Sequence, residues 1–160
     1  KLKELACETI PEIEDIENLS YGSKSVRSLL LLFNLVTLIN KGEKQYRFPF
    51  DLYKKEKWDI EHIHATADES AEPDDSIGNL TLLDQNTNRS YQDAPFYEKR
   101  KTIIEVDAEG KFVPVCTRNV FLKVYSCNPE NFNSWTEDDK SDYISSMKKE
   151  LAKFFNLEEE

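Results

Sequence analysis

The chain has 160 residues, of which 39% are hydrophobic and 32% charged, the size and balance of one globular domain with a core of its own. Its formal net charge of −10 argues against general affinity for nucleic acid, which rests on Lys and Arg. Three widely spaced cysteines, Cys7, Cys116 and Cys127, with no CxxC pair, argue against a disulfide framework or a four-thiolate zinc site and suit a reducing cytoplasm.

Only 4 Gly among abundant Leu, Lys and Glu lean the chain toward a helix-rich fold. Apolar positions from Leu2 to Ile16, broken at Pro11, read as a short helix or two. Residues 24–40 are apolar on most helical faces, which predicts a deeply buried helix ended near Gly42. The same run is interrupted by Asn34 and Thr37 and is too short to span a bilayer. Residues 43–57 read as a connector ending in helix or loop. WDIEHIHA, 58–65, alternates like a strand. TADESAEPDDS is an acidic loop with one proline, and NLTLLD is a second short strand. The polar stretch QNTNRSYQ is helix-like, and Pro95 is placed to open a helix running FYEKRKTIIEV. TRNVFLKVYS and a helix capped by Thr136 and Asp139 complete the chain. In the latter, Tyr143, Ile144, Met147, Leu151, Phe154 and Phe155 recur at helical spacing. The first residue is Lys rather than Met, as expected of a C-terminal fragment of a longer protein.

The chemistry concentrates in the middle. His62 and His64 are the only histidines. Hydrolysis of a phosphodiester needs a base of near-neutral pKa, which imidazole supplies. It also needs a divalent cation where phosphoryl charge builds, held by hard oxygen donors. Glu61, His62 and Asn88 make up that inventory as carboxylate ligand, base and amide-oxygen ligand. An Asn at the start of a helix also commonly satisfies backbone donors, so Asn88 has that second reading; Asn86 is an alternative ligand and Asp59 an extra carboxylate. An ideal strand puts His62 and His64 on one face and Glu61 on the other, so β structure must end or bulge near Glu61 and His62 if both are to approach one ion. Residues 86–101 carry Arg89, Lys99, Arg100 and Lys101 against two acids, a local excess of +2. That run is either a solvated helix face or a phosphate-contacting one. Phe96 and Tyr97 read as packing residues, and the cysteines as buried and inert.

The combination Glu61-His62-Ile63, Gly78-Asn79-Leu80-Thr81-Leu82-Leu83, Asn88 and Pro95-Phe96-Tyr97-Glu98-Lys99 resembles the HNH nucleases, also called His-Me finger or ββα-metal nucleases. More narrowly it resembles the C-terminal domain of GmrSD-type restriction endonucleases, bacterial anti-phage proteins. FVPVCTRNVFLKVYS and WTEDD extend the resemblance over most of the chain. It implies an α+β, helix-rich fold in which a ββα-metal finger, two short antiparallel strands plus a helix (51–107), is flanked by helical parts (1–50 and 108–160). It also implies DNA cleavage leaving 5′-phosphate and 3′-hydroxyl ends, with His62 as general base and one divalent ion, Mg²⁺ or alternatively Mn²⁺, on Glu61 and Asn88. Asn79 would steady the loop near the base. An N-terminal nucleotide-hydrolysing domain is the expected partner in the whole protein, DNA the expected substrate, and a membrane is not expected. Ala65 and His64 depart from the family's usual Pro and apolar residue. Two other functions fit parts of the sequence: a non-catalytic nuclease-like module that binds DNA or a partner protein, suggested by the acidity, and a structural transition-metal site on His62 and His64.

Overall fold

The computed structural model describes residues 13–42, 48–55, 57–64, 73–84 and 94–155. Cys7, Ala65, Asn86, Asn88, Arg89 and the polar stretch 85–92 lie outside the described residues. In chain order the elements are a 3₁₀ turn Ile13–Asn18, helix α1 Val26–Asn40, the short helix α2 Phe50–Lys55 and strand β1 Trp58–His62. A 3₁₀ turn Ile77–Asn79 then leads into β2 Leu80–Asp84, followed by α3 Phe96–Ala108, α4 Val115–Phe121 and α5 Glu137–Phe155. The fold is α+β and helix-rich, with one two-stranded sheet among the described residues.

β1 and β2 pair antiparallel, with Trp58 opposite Asp84 and His62 opposite Leu80. Every residue of β2 is buried, and two helices bond its backbone. From α4, the Thr117 hydroxyl donates to the Leu82 carbonyl at 2.5 Å and sits 2.8 Å from the Thr81 hydroxyl. From α5, the Tyr143 hydroxyl donates to the Leu80 carbonyl at 3.3 Å. A strand buried on both faces reads as an apolar run rather than an alternation, which is how LTLL reads.

α1 buries Val26, Leu29, Leu30, Phe33 and Val36, as its pattern predicts, while Ile39 near its end is exposed. The two polar residues that interrupt the run work at the helix contacts. Buried Asn34 donates to the Leu30 carbonyl at 2.8 Å and accepts from the Cys116 amide at 2.9 Å, satisfying a free donor in the first turn of α4. Thr37 lies 3.5 Å from the Cys116 sulfur.

α4 begins after Pro114 and stops at Phe121, earlier at both ends than the expected 117–126. Its stop has a cause: Lys123 takes a positive φ of 60°. The Lys123 ammonium, fully buried, donates to Asp139 at 2.5 Å, and Ser126 also donates to that carboxylate. Asp139 meanwhile accepts from the Thr136 amide at 2.7 Å, so the expected cap of α5 forms and doubles as the seat of a buried cation. Burial pushes the Asp139 carboxyl up, but donation from Lys123, Ser126 and Thr136 outweighs it and holds the group below the ordinary carboxylate range.

Cys116 is buried as expected, its thiol pushed up to about 12 by burial. Cys127 is exposed and corrects the expectation that the cysteines are buried. Phe96 is in the core, stacked at 5.4 Å on Phe121, whereas Tyr97, the next residue of α3, is 52% exposed.

Candidate active site

β1 ends at His62, where the chain leaves the sheet. The Ile63 amide still bonds the Asn79 carbonyl at 2.8 Å, and the backbone beyond it is held by a side chain instead of a strand. Asn79, 1% exposed, accepts from the His64 amide at 2.9 Å and donates to the His64 carbonyl at 3.0 Å and the Asp74 carbonyl at 2.9 Å. Its amide is thus consumed in bracing the backbone after the histidine against the segment before β2. Gly78 precedes it because α5 lies against that turn. A Cβ there would sit 2.8 Å from the Lys140 Cβ and 3.2 Å from the Lys140 carbonyl oxygen.

Glu61 and His62 point to opposite faces, and each meets a partner there. Glu61 turns inward and is buried; it receives the Lys99 ammonium at 2.5 Å. The same ammonium donates to the His62 carbonyl at 2.6 Å. Lys99 is fully buried on α3, which corrects its expected place on a solvated or phosphate-facing helix surface. It lies on the inward side of α3 with Phe96 and Ile103, three and four residues away at helical spacing. Lys101 does face solvent, 4.0 Å from Glu105, and the Arg100 guanidinium lies 4.2 Å over the Phe132 ring.

His62 turns outward with 29% of its side chain exposed. Its Nε2 lies 2.9 Å from Asp75 Oδ1, and the Tyr21 ring packs against it with centroids 5.1 Å apart. Neither neighbour has a local signal in the sequence: Asp75 is one acid in an acidic loop, and Tyr21 lies 41 residues upstream of His62. Asp59 is engaged by Arg27 at 3.1 Å, and Arg27 also bonds the Trp58 carbonyl.

His64 lies beyond the strand. Burial lowers its pKa, and Lys140 and Lys99 lower it further against a smaller opposing effect of Asp74. Its Nδ1 is buried without a hydrogen bond among the described residues. Lys140 bonds Asp74 at 2.5 Å. Burial alone would raise the Asp74 carboxyl, but bonds from Lys140 and Ser76 bring it below its ordinary value.

Among the described residues no group of three or more His, Cys, Asp and Glu is arranged to hold a metal ion, so a transition-metal site on both histidines finds no donor set there. For a hard divalent ion that keeps most of its water, one carboxylate with one amide oxygen is a sufficient protein contribution. Glu61 is an oxygen donor of that kind, but it lies on the face of β1 opposite His62 with Lys99 on its carboxylate, so the described residues do not bring acid and base together at one open site.

A helix-rich α+β domain with a short antiparallel hairpin, an acid–histidine pair at the end of its first strand and an asparagine bracing the turn defines the class. A family model described as GmrSD restriction endonucleases, C-terminal domain, matches residues 11–154. The chain belongs to that family, a restriction-endonuclease domain. No curated protein and no solved structure matches it. Among the described residues no helix is long and apolar enough to cross a membrane.

Proposed function

We propose that this domain is an HNH-type, metal-dependent DNA endonuclease acting in restriction of phage DNA. The observation that carries the reading is His62 at the mouth of β1. Its imidazole is part-exposed, a carboxylate holds its Nε2, and Glu61 precedes it on the opposite face of the same strand. His62 takes a proton from water, the water oxygen attacks phosphorus, and the bond to the 3′ oxygen breaks; that oxygen takes a proton from solvent, leaving a 5′-phosphate and a 3′-hydroxyl. Glu61 and Asn88 would hold the divalent ion, with Mg²⁺ the natural choice for oxygen donors. Such an ion, when bound, neutralises charge on the phosphoryl and leaving oxygens. Lys99 balances the Glu61 carboxylate and anchors the His62 carbonyl, so it fixes the spacing of ligand and base from behind. Asn79 braces the turn that follows. Arg89, Arg100 and Lys101 are the proposed phosphate contacts, and an N-terminal nucleotide-hydrolysing domain is the proposed partner in the whole protein.

The test is cleavage of plasmid DNA in Mg²⁺ or Mn²⁺ by this chain and by the whole protein, with and without His62→Ala. Loss of a general base is expected to slow cleavage about 10²–10⁴-fold; equal rates remove His62 from the role. A second reading is favoured by the burial of Glu61 against Lys99, namely a non-catalytic module that keeps the nuclease fold to bind DNA or a partner protein. It predicts metal-independent binding that His62→Ala leaves intact.

A further inference from the structure

The nuclease reading leaves Asp75 and Tyr21 without a role, although both touch the candidate base. We propose that Asp75 is a positioning residue which, together with the Tyr21 ring, holds His62 with its proton on Nε2 and so leaves Nδ1 as the proton-accepting atom. The inference rests on the reading of His62 as base and deepens it.

A carboxylate only accepts hydrogen bonds. With Asp75 Oδ1 at 2.9 Å from Nε2, the hydrogen of a neutral imidazole belongs on Nε2, and the lone pair is then on Nδ1. The pair has little value as a stabilising contact. Its side chains are 29% and 44% exposed, and exposed ion pairs contribute little to stability. What it does fix is the ring's tautomer and rotation.

The seat is built from two segments tied to each other rather than from stray side chains. The Tyr21 amide donates to the Asp75 carbonyl at 2.7 Å, and the Ile77 amide to the Leu19 carbonyl at 3.0 Å. Ser20 and Ser76 form an antiparallel bridge between them. Gly22, at φ 91°, turns the chain away directly after Tyr21, a conformation that Gly alone adopts at no steric cost. The Tyr21 ring, tilted 37° to the imidazole, packs against it, so the imidazole is restrained at Nε2 by the carboxylate and beside it by the phenol ring.

Long-range ¹H–¹⁵N NMR of the labelled chain reads the tautomer directly. With only two histidines, His64→Gln leaves a single imidazole to assign. At about pH 8, where an ordinary imidazole is neutral, the Nε2–H form of His62 is expected to exceed the Nδ1–H form by roughly tenfold or more, a ratio worth about 1.4 kcal/mol. Asp75→Asn replaces an acceptor-only carboxylate with an amide that can also donate to Nε2, and should weaken that preference. It should also lower the cleavage rate of the whole protein by about twofold or more, in step with the lost share of the competent tautomer, without changing KM for DNA. Asp75→Glu should keep the preference. A wild-type His62 carrying its proton on Nδ1, or an Asp75→Asn spectrum with the wild-type ratio, overturns the proposal. Should Asp75→Asn fail to fold, the wild-type ratio and its retention in Asp75→Glu decide. The spectrum does not depend on cleavage. An inactive wild type with the expected ratio therefore defeats the nuclease reading while upholding the seat, and an active one with Nδ1–H does the reverse.

Discussion

At the residue scale the two histidines separate by what surrounds them. His62 faces a carboxylate and an aromatic ring. His64, two positions on, is half-buried near two ammonium groups, Lys140 and Lys99, with Asp74 as the opposing charge. Burial comes first among the causes that depress its pKa, and the cations add to it, so the folded chain protonates His64 at lower pH than the unfolded chain does. The contribution of neutral His64 to stability is therefore intact above the ordinary value of 6.5 and declines as pH falls from there toward the depressed folded value. His64→Gln should flatten the fall in urea midpoint between about pH 7.5 and about pH 5.5, since an amide has no proton to take up in either state. In an NMR titration, Lys140→Met should move the His64 midpoint upward, because it removes a cation and leaves Asp74 in place. A midpoint that stays put, or moves down, would show that the cations are not felt.

At the element scale the turn before β2 carries more constraint than its three residues suggest. Ile77–Asn79 is pressed against α5. The Gly78 carbonyl accepts from Trp135 Nε1 at 2.9 Å, and the missing Cβ leaves room for the Lys140 backbone. The 2.8 Å approach is to the base of the Lys140 side chain, which moves only if α5 moves. Gly78→Ala should therefore destabilise the fold by about 1–3 kcal/mol, the usual cost of overpacking, despite the gain of about 0.4–1 kcal/mol from a stiffer unfolded chain. A urea midpoint equal to or above wild type would contradict this. The same turn marks what the sequence discloses. NLTLLD reads locally as a short strand, and the opposite facing of Glu61 and His62 follows from alternation. The end of β1 directly after His62, which leaves Glu61 and His62 on opposite faces of the paired strand, has no local signal. It comes from Asn79, fifteen residues beyond His64, whose side chain substitutes for a strand partner. Asp75 and Tyr21 were illegible for the same reason: loop acids and a single exposed tyrosine have no periodicity, and only the pairing of residues 19–21 with 75–77 brings them to the imidazole.

At the scale of the whole molecule, a chain of net charge −10 places two of its lysines, Lys99 and Lys123, wholly inside, each against a carboxylate. Lys99 could be counted in the sequence only as part of a basic run, since periodicity says which side of α3 it occupies but a cation is not expected on the inner side. Its position joins the hairpin to α3, so the chemistry of the site and the stability of the domain share one contact. Removing one partner of a buried pair costs about 3–5 kcal/mol, whereas replacing both by apolar groups of similar volume is often neutral. Lys99→Met should then lower Tm by roughly 6–20 °C, at about 2–4 °C per kcal/mol for a domain of this size, and the melt should remain a single transition. Glu61→Leu combined with Lys99→Met should recover much of that loss, because the buried carboxylate is gone with its counter-charge. Calorimetry of the two single variants and the double variant gives the coupling. A double variant whose losses simply add would mean that Glu61 and Lys99 do not depend on each other, and that the base is held from behind by something other than this pair.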